Sequence, residues 1–160
     1  AARRITVSTA GYIPGLRRFK ELDLQVNLAI SLHAANDALR GRLMPIDRKY
    51  PLTDLIEAVE DYIRSGGRMV TIEYILCHGL NDTLNDADGL SAISRRLRAK
   101  VNLIPFSPVP GLPPEFERPT EADIQRFTTW LEERKVRVTV RNSKGRDIAA
   151  ACGQLAGKTP

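Results

Sequence analysis

A cysteine set among small residues has room to react. Cys152 stands in Ala149-Ala150-Ala151-Cys152-Gly153-Gln154-Leu155. A thiolate there can act as a nucleophile, although a free cysteine is more often a small buried hydrophobe whose access decides its chemistry. Gly153, which has no β-carbon, allows the loop a close approach to a ligand. Ser8, Thr9, Ser31, His33 and Asn102 close β-rich runs of the chain. Hydroxyl, imidazole and amide groups at strand ends either hydrogen-bond a polar ligand or simply close turns. Cys77 reads as a structural thiol at a strand-to-loop junction and His78 as a loop residue.

The elements that must position these groups alternate between β-rich and helical patterns. Residues Arg4–Thr9, Val26–Ser31, Met69–Leu76, Lys100–Phe106 and Val136–Arg141 are β-rich. Between Leu52 and Arg64, Leu55, Ile56, Val59 and Ile63 recur at helical spacing, with Thr53 as the expected cap. Asp86–Arg98 and Glu121–Lys135 repeat that pattern, the second behind a capping box of Thr120 with Asp123. Strands alternating with helices predict a parallel α/β sheet with right-handed crossovers. Residues Pro105–Pro119 form a long proline-rich loop.

Alternation within the strands separates two chemistries. Ile5, Val7, Val26, Leu28, Ile30, Val70, Ile72, Tyr74, Val101, Leu103, Val136, Val138 and Val140 fall on one face, which helices are expected to cover. Arg4, Thr6, Ser8, Asn27, Ser31, Thr71, Glu73, Asn102, Arg137, Thr139 and Arg141 fall on the other. A packed barrel fills its interior with branched apolar residues, so a polar inner face suits a barrel that encloses a ligand. An open sheet with one solvated face gives a similar alternation.

Composition narrows the setting. The chain has 160 residues, 42% hydrophobic and 27% charged, which is the composition of a globular domain. Lys and Arg outnumber Asp and Glu by 24 to 19, a net charge of +5 that suits a polyanionic partner. Two cysteines and two histidines fall short of any zinc-ligand spacing, so no metal is assigned to residues of this chain. No apolar run is long enough to cross a bilayer, and cysteine usage fits a reducing, cytoplasmic setting.

Six motifs occur here in one order: Val7-Ser8-Thr9-Ala10-Gly11, Ala29-Ile30-Ser31-Leu32-His33-Ala34, Leu43-Met44-Pro45-Ile46, Thr71-Ile72-Glu73-Tyr74, Val101-Asn102-Leu103-Ile104-Pro105 and Ala151-Cys152-Gly153-Gln154-Leu155. Together the chain resembles, end to end, the radical S-adenosylmethionine enzymes that methylate adenine in ribosomal RNA. The likeness is greatest to the members that modify carbon 2 of adenine in 23S rRNA and in certain tRNAs. It implies the later part of a partial (β/α)6 barrel, with residues 1–110 as its later βα units and residues 111–160 as a carboxy-terminal helix, strand and Cys152 loop.

The resemblance further implies that Ser8, Ser31, Leu32, His33 and Asn102 contact S-adenosylmethionine and that Cys152 is the methyl-carrying cysteine. An adenine ring carbon is a poor nucleophile, and a thiolate that first accepts the methyl group avoids direct displacement. In the family one S-adenosylmethionine methylates the cysteine, and a second, cleaved at a reduced [4Fe-4S] cluster, activates that methyl group. The cluster ligands, a Gly-Glu motif and a second essential cysteine match nothing in this chain, which is therefore expected to be inactive alone. The implied partners are 23S rRNA, tRNA and an electron donor, with no membrane and a monomer at full length. Lys135, Arg137, Arg141, Lys144 and Arg146 make a basic patch suited to phosphates. Two other readings stand beside this one: the relative that methylates carbon 8 of adenine, and a noncatalytic α/β module binding a nucleotide or RNA. A barrel lacking strands exposes unpaired edges, so the 160 residues alone are expected to associate or aggregate. A sharply melting monomer, seen by calorimetry and size-exclusion chromatography, would contradict the incomplete barrel.

Overall fold

The computed structural model describes residues 2–108 and 111–141. Five strands pair in parallel in chain order: β1 (Thr6–Thr9), β2 (Asn27–Ser31), β3 (Val70–Leu76), β4 (Lys100–Pro105) and β5 (Val138–Val140). Helices fill every crossover, as parallel pairing requires. They are α1 (Ile13–Glu21), α2 (Asp37–Leu43), α3 (Leu52–Arg64), α4 (Leu84–Arg96) and α5 (Glu121–Glu133). The chain is thus α/β, as its alternating pattern predicts.

The apolar strand face and the apolar helix stripes meet in one core. Leu28, Ile30, Val70, Ile72, Tyr74, Val101 and Leu103 pack with Leu55, Ile56 and Val59 of α3, Leu90 of α4, and Phe127 and Leu131 of α5. Tyr62 places its hydroxyl where it donates to the Val26 carbonyl at 3.0 Å, so a polar atom enters this layer already paired. The layer is open at its β1 margin, where Ile5 is 55% and Val7 36% exposed. The expectation that helices cover the apolar face therefore fails at β1, which among the described residues is an edge strand with a neighbour on one side only. A cleft of about 590 Å³ opens there between β1 and α1, lined by Val7, Tyr12, Leu16, Phe19 and Leu28.

Helix starts show local chemistry. Thr120 and Asp123 form the expected capping box at α5. Thr83 and Asp86 form another, so α4 begins at Leu84 rather than at Asp86. Thr53 is not a cap: Pro51 occupies the N-cap position of α3, and the Leu52 N–H donates to the Asp37 side chain at 2.6 Å.

Arg40 is 0% exposed, and its guanidinium pairs with Asp47 in the 3-10 turn Pro45–Arg48. It also donates to the Ala10 carbonyl at 3.0 Å and the Ser31 carbonyl at 3.5 Å. One buried cation thus ties the end of β2 to the turn after β1. Gly11 leaves room for it: its φ is +107°, and a β-carbon there would meet an Arg40 nitrogen at 3.0 Å. Removing one partner of a buried pair strands the other charge, so Arg40→Ala is expected to lower unfolding free energy by about 3–5 kcal/mol. Chemical denaturation checks this.

Candidate functional site

Parallel register carries the polar residues into rows. Ser31 pairs with Glu73, Glu73 with Asn102, and Asn102 with Thr139, so these four side chains cross the sheet on one face. Ser8, Ala29, Thr71 and Lys100 make a second row, one pair of residues earlier along the strands. Ser8 is exposed, Ser31 and Asn102 are half-buried, and Thr71 is buried. Asn102 Nδ2 donates to Glu73 Oε1 at 2.9 Å. The second carboxylate oxygen of Glu73 is buried with no hydrogen-bond partner among the described residues.

His33 stands beyond the end of β2 in a left-handed conformation, φ +60°. For a residue with a β-carbon this conformation is strained and persists only when surroundings hold it. Here Asn81 Nδ2 grips the His33 carbonyl at 2.9 Å and the Ile75 carbonyl at 2.7 Å, and its Oδ1 accepts from Cys77 N–H at 2.8 Å. The Ile75 N–H donates to His33 Nδ1 at 3.1 Å. Nδ1 is therefore the unprotonated nitrogen, and a neutral ring carries its proton on Nε2. Burial pushes the imidazole down to about 4, helped by the Arg40 charge.

The structure brings Ser31 and Asn102 onto one row of the polar face, Ser31 at the end of β2 and Asn102 within β4, with Ser8 on the adjacent row; His33 lies just beyond β2, its ring against the Ile75 N–H. Leu32 does not join them through its side chain, which lies in the core at 2% exposure. Its N–H extends the ladder by donating to the Glu73 carbonyl at 3.0 Å. Thr9 closes a turn, accepting from the Gly11 N–H at 3.1 Å. Cys77 is buried, and burial pushes its thiol up to about 11, far from a reactive thiolate. Its reading as a structural thiol fits that environment. Cys152, Gly153, Lys144 and Arg146 lie outside the described residues.

His78 Nδ1 lies 3.1 Å from Asp123 and 3.5 Å from Asp82, and the three residues cluster within metal-ligand reach of one another. Asp123 is already engaged. It accepts from the Thr120 N–H and hydroxyl, which hold its carboxyl well below the usual range, and it pairs with Arg126. This cluster joins the loop after β3 to the start of α5. Glu73, Arg40 and Asn81 are the residues whose roles the sequence does not announce. Of these, Glu73 had a signal, as the carboxylate on the polar strand face.

An S-adenosylmethionine molecule presents hydroxyls, an ammonium and an adenine. The hydroxyls of Ser8 and Ser31, the Asn102 amide, the Nε2–H of His33 and the unpartnered Glu73 oxygen form a donor and acceptor set that fits it. A [4Fe-4S] cluster does not fit this chain by itself, because two cysteines cannot furnish a three-thiolate loop.

No family model matches the chain. It is 46% identical over 154 residues to a probable dual-specificity RNA methyltransferase RlmN of Akkermansia muciniphila, covering 96% of this chain and 42% of that protein. It is 49% identical over 156 residues to the dual-specificity RNA methyltransferase RlmN of Pelobacter propionicus, covering 98% of this chain and 44% of that protein. The crystal structure of a radical SAM methyltransferase from Sphaerobacter thermophilus superposes with a TM-score of 0.89 at 48% identity, covering 96% of this chain and 45% of that one. The chain spans less than half the length of each of these proteins.

Neutral His33 has a stability consequence of defined sign. Its folded pKa lies near 4 and an unfolded histidine titrates near ~6.5, so the unfolded state takes up the extra proton between those values. The contribution is full above that window and is lost as pH falls through it. The His33 ring is expected to titrate near 4 by NMR, with unfolding free energy declining below about pH 6.5. A ring titrating at the ordinary histidine value would mean that it is not buried as described.

Proposed function

Because this chain belongs, over the part that it spans, with the dual-specificity RNA methyltransferases of the radical S-adenosylmethionine type, we propose that the whole protein methylates carbon 2 of adenine in 23S rRNA and tRNA, with Cys152 as the methyl carrier. The observation that carries this reading is the row Ser31, Glu73 and Asn102, flanked by neutral His33 at the strand ends. Ser31 and His33 lie at the carboxyl end of β2, where barrel-type folds gather binding groups, and Glu73 and Asn102 extend the row across β3 and β4.

S-adenosylmethionine, when bound, supplies a sulfonium methyl group, which a thiolate accepts far more readily than an aromatic carbon does. The chain's own residues bind and orient. Ser8 and Ser31 offer hydroxyls, Asn102 an amide, and His33 an Nε2–H, the tautomer fixed because Nδ1 accepts from the Ile75 N–H. The backbone of Leu32 keeps Ser31 and His33 in step with β3. The Cys152 loop is assigned to bring its sulfur to this face. The cluster and its electron donor belong to residues that this chain does not supply.

RNA is the polyanion that the net charge of +5 suits. Lys135, Arg137 and Arg141 are exposed at the β5 margin and suit phosphate contacts that position the substrate without reading its sequence. No helix among the described residues is long and apolar enough to cross a membrane. Cytoplasmic placement and a full-length monomer complete the proposal.

Mass spectrometry of RNA treated with the protein expressed from its whole coding sequence is expected to find 2-methyladenine. Cys152→Ala is expected to abolish that product while leaving S-adenosylmethionine affinity within about twofold. Methylation at carbon 8 would place the protein with the other regiochemistry, and RNA binding without any methylation of Cys152 would favour the noncatalytic module.

A further inference from the structure

We propose that Glu73 is a positioning residue of the polar face: it fixes the Asn102 amide and, together with the Asn102 carbonyl, presents paired acceptors to an N–H or O–H donor of the bound molecule. This rests on the reading that S-adenosylmethionine and an adenine of RNA meet at this face.

The geometry begins with what a carboxylate can do. Ionised, it only accepts hydrogen bonds, so the 2.9 Å contact between Glu73 Oε1 and Asn102 Nδ2 orients the amide unambiguously. That contact uses the nitrogen half of the Asn102 amide and leaves its carbonyl oxygen as an acceptor for another donor. Without Glu73 that amide is free to flip and to present a donor in place of an acceptor.

The second observation is the orphan oxygen. Glu73 Oε2 is buried without a partner among the described residues, and Glu73 is paired there with neither Lys nor Arg. A buried acceptor left unmade is costly, more so when charged. Glu73 is the one carboxylate on the described strands of this face, and it sits on the central strand between Ser31 and Asn102. A cross-strand tie to Asn102 needs only one neutral acceptor. The residue carries two acceptor oxygens and a charge, and one oxygen is unused.

The chemistry that satisfies both acceptors is an amine, an ammonium or a hydroxyl. Two molecules at this site carry such groups, the cofactor and the target base. Glu73→Gln separates the structural tie from the ligand role, since glutamine still accepts from Asn102 but turns a donor where the second carboxylate oxygen stood. Glu73→Asp keeps the charge and withdraws it by one methylene.

The test uses the protein expressed from its whole coding sequence. Calorimetry measures S-adenosylmethionine binding. Fluorescence anisotropy compares an RNA hairpin bearing adenine at its target position with the same hairpin bearing purine, which lacks the amino group. Glu73→Gln is expected to weaken one of the two interactions about tenfold while circular dichroism and melting temperature stay unchanged. Weakened S-adenosylmethionine binding assigns the donor to the cofactor, and lost preference for adenine over purine assigns it to the base. Both dissociation constants within twofold of the unsubstituted protein would overturn the proposal while leaving the functional reading intact. Should Glu73→Gln fail to fold, Glu73→Asp is read in the same way. If the unsubstituted protein binds neither molecule, the functional reading itself fails, and this inference fails with it.

Discussion

Parallel pairing of β3 with strands on both sides is the constraint on which the rest of the molecule depends. Every parallel pair needs a helical crossover, and crossovers of one hand place those helices on one face of the sheet. That face is sealed by Ile72, Tyr74, Val101 and Leu103, all 0% exposed. The opposite face is left for Ser31, Glu73 and Asn102. A slip of one residue would turn Glu73 and Asn102 into the apolar layer and expose Ile72 and Val101, a loss no strand pair could offset. Hydrophobic packing on one side therefore sets the alignment of polar groups on the other.

Strand ends need a separate device, because the ladder stops there. Asn81 supplies it with three hydrogen bonds that span the ends of β2 and β3 and hold His33 at positive φ. Arg40 acts alongside, accepting no proton but donating to the Ser31 carbonyl and lowering the basicity of His33 through its charge. The conformation of residues 31–33 and the protonation of the ring are thus properties of one buried network. Strain of this kind costs about 1–3 kcal/mol, and the hydrogen bond from the buried Asn81 amide to the His33 carbonyl helps hold it.

Much of this was legible in the sequence where the cause is local. The span Leu52–Arg64 follows from helical spacing alone, and the Thr120 to Asp123 box from a four-residue motif. The alternation of strand faces follows from a period of two. What stayed hidden has distant causes. The start of α3 is satisfied by Asp37, fifteen residues back, so Thr53 looked like a cap that the helix does not need. The tie between Glu73 and Asn102 spans 29 positions and exists only once register is fixed. Nothing local in the sequence marks Arg40 as a cation that will be enclosed. The exposure of Ile5 and Val7 follows from being at a sheet edge, which alternation cannot express.

Charge on the polar face is arranged unevenly, and the unevenness has physical meaning. A carboxylate stands at the centre on β3, while Lys100, Arg137 and Arg141 stand toward the β5 side. Phosphates are drawn to that margin and repelled from the centre, whereas amines and hydroxyls are favoured at the centre. A nucleotide unit has both kinds of group, with donors on its base and sugar and negative charge on its backbone. A surface of this polarity favours donor groups near Glu73 and negative charge toward β5. The central part of that preference, half-buried, persists in salt, while the exposed arginines are screened.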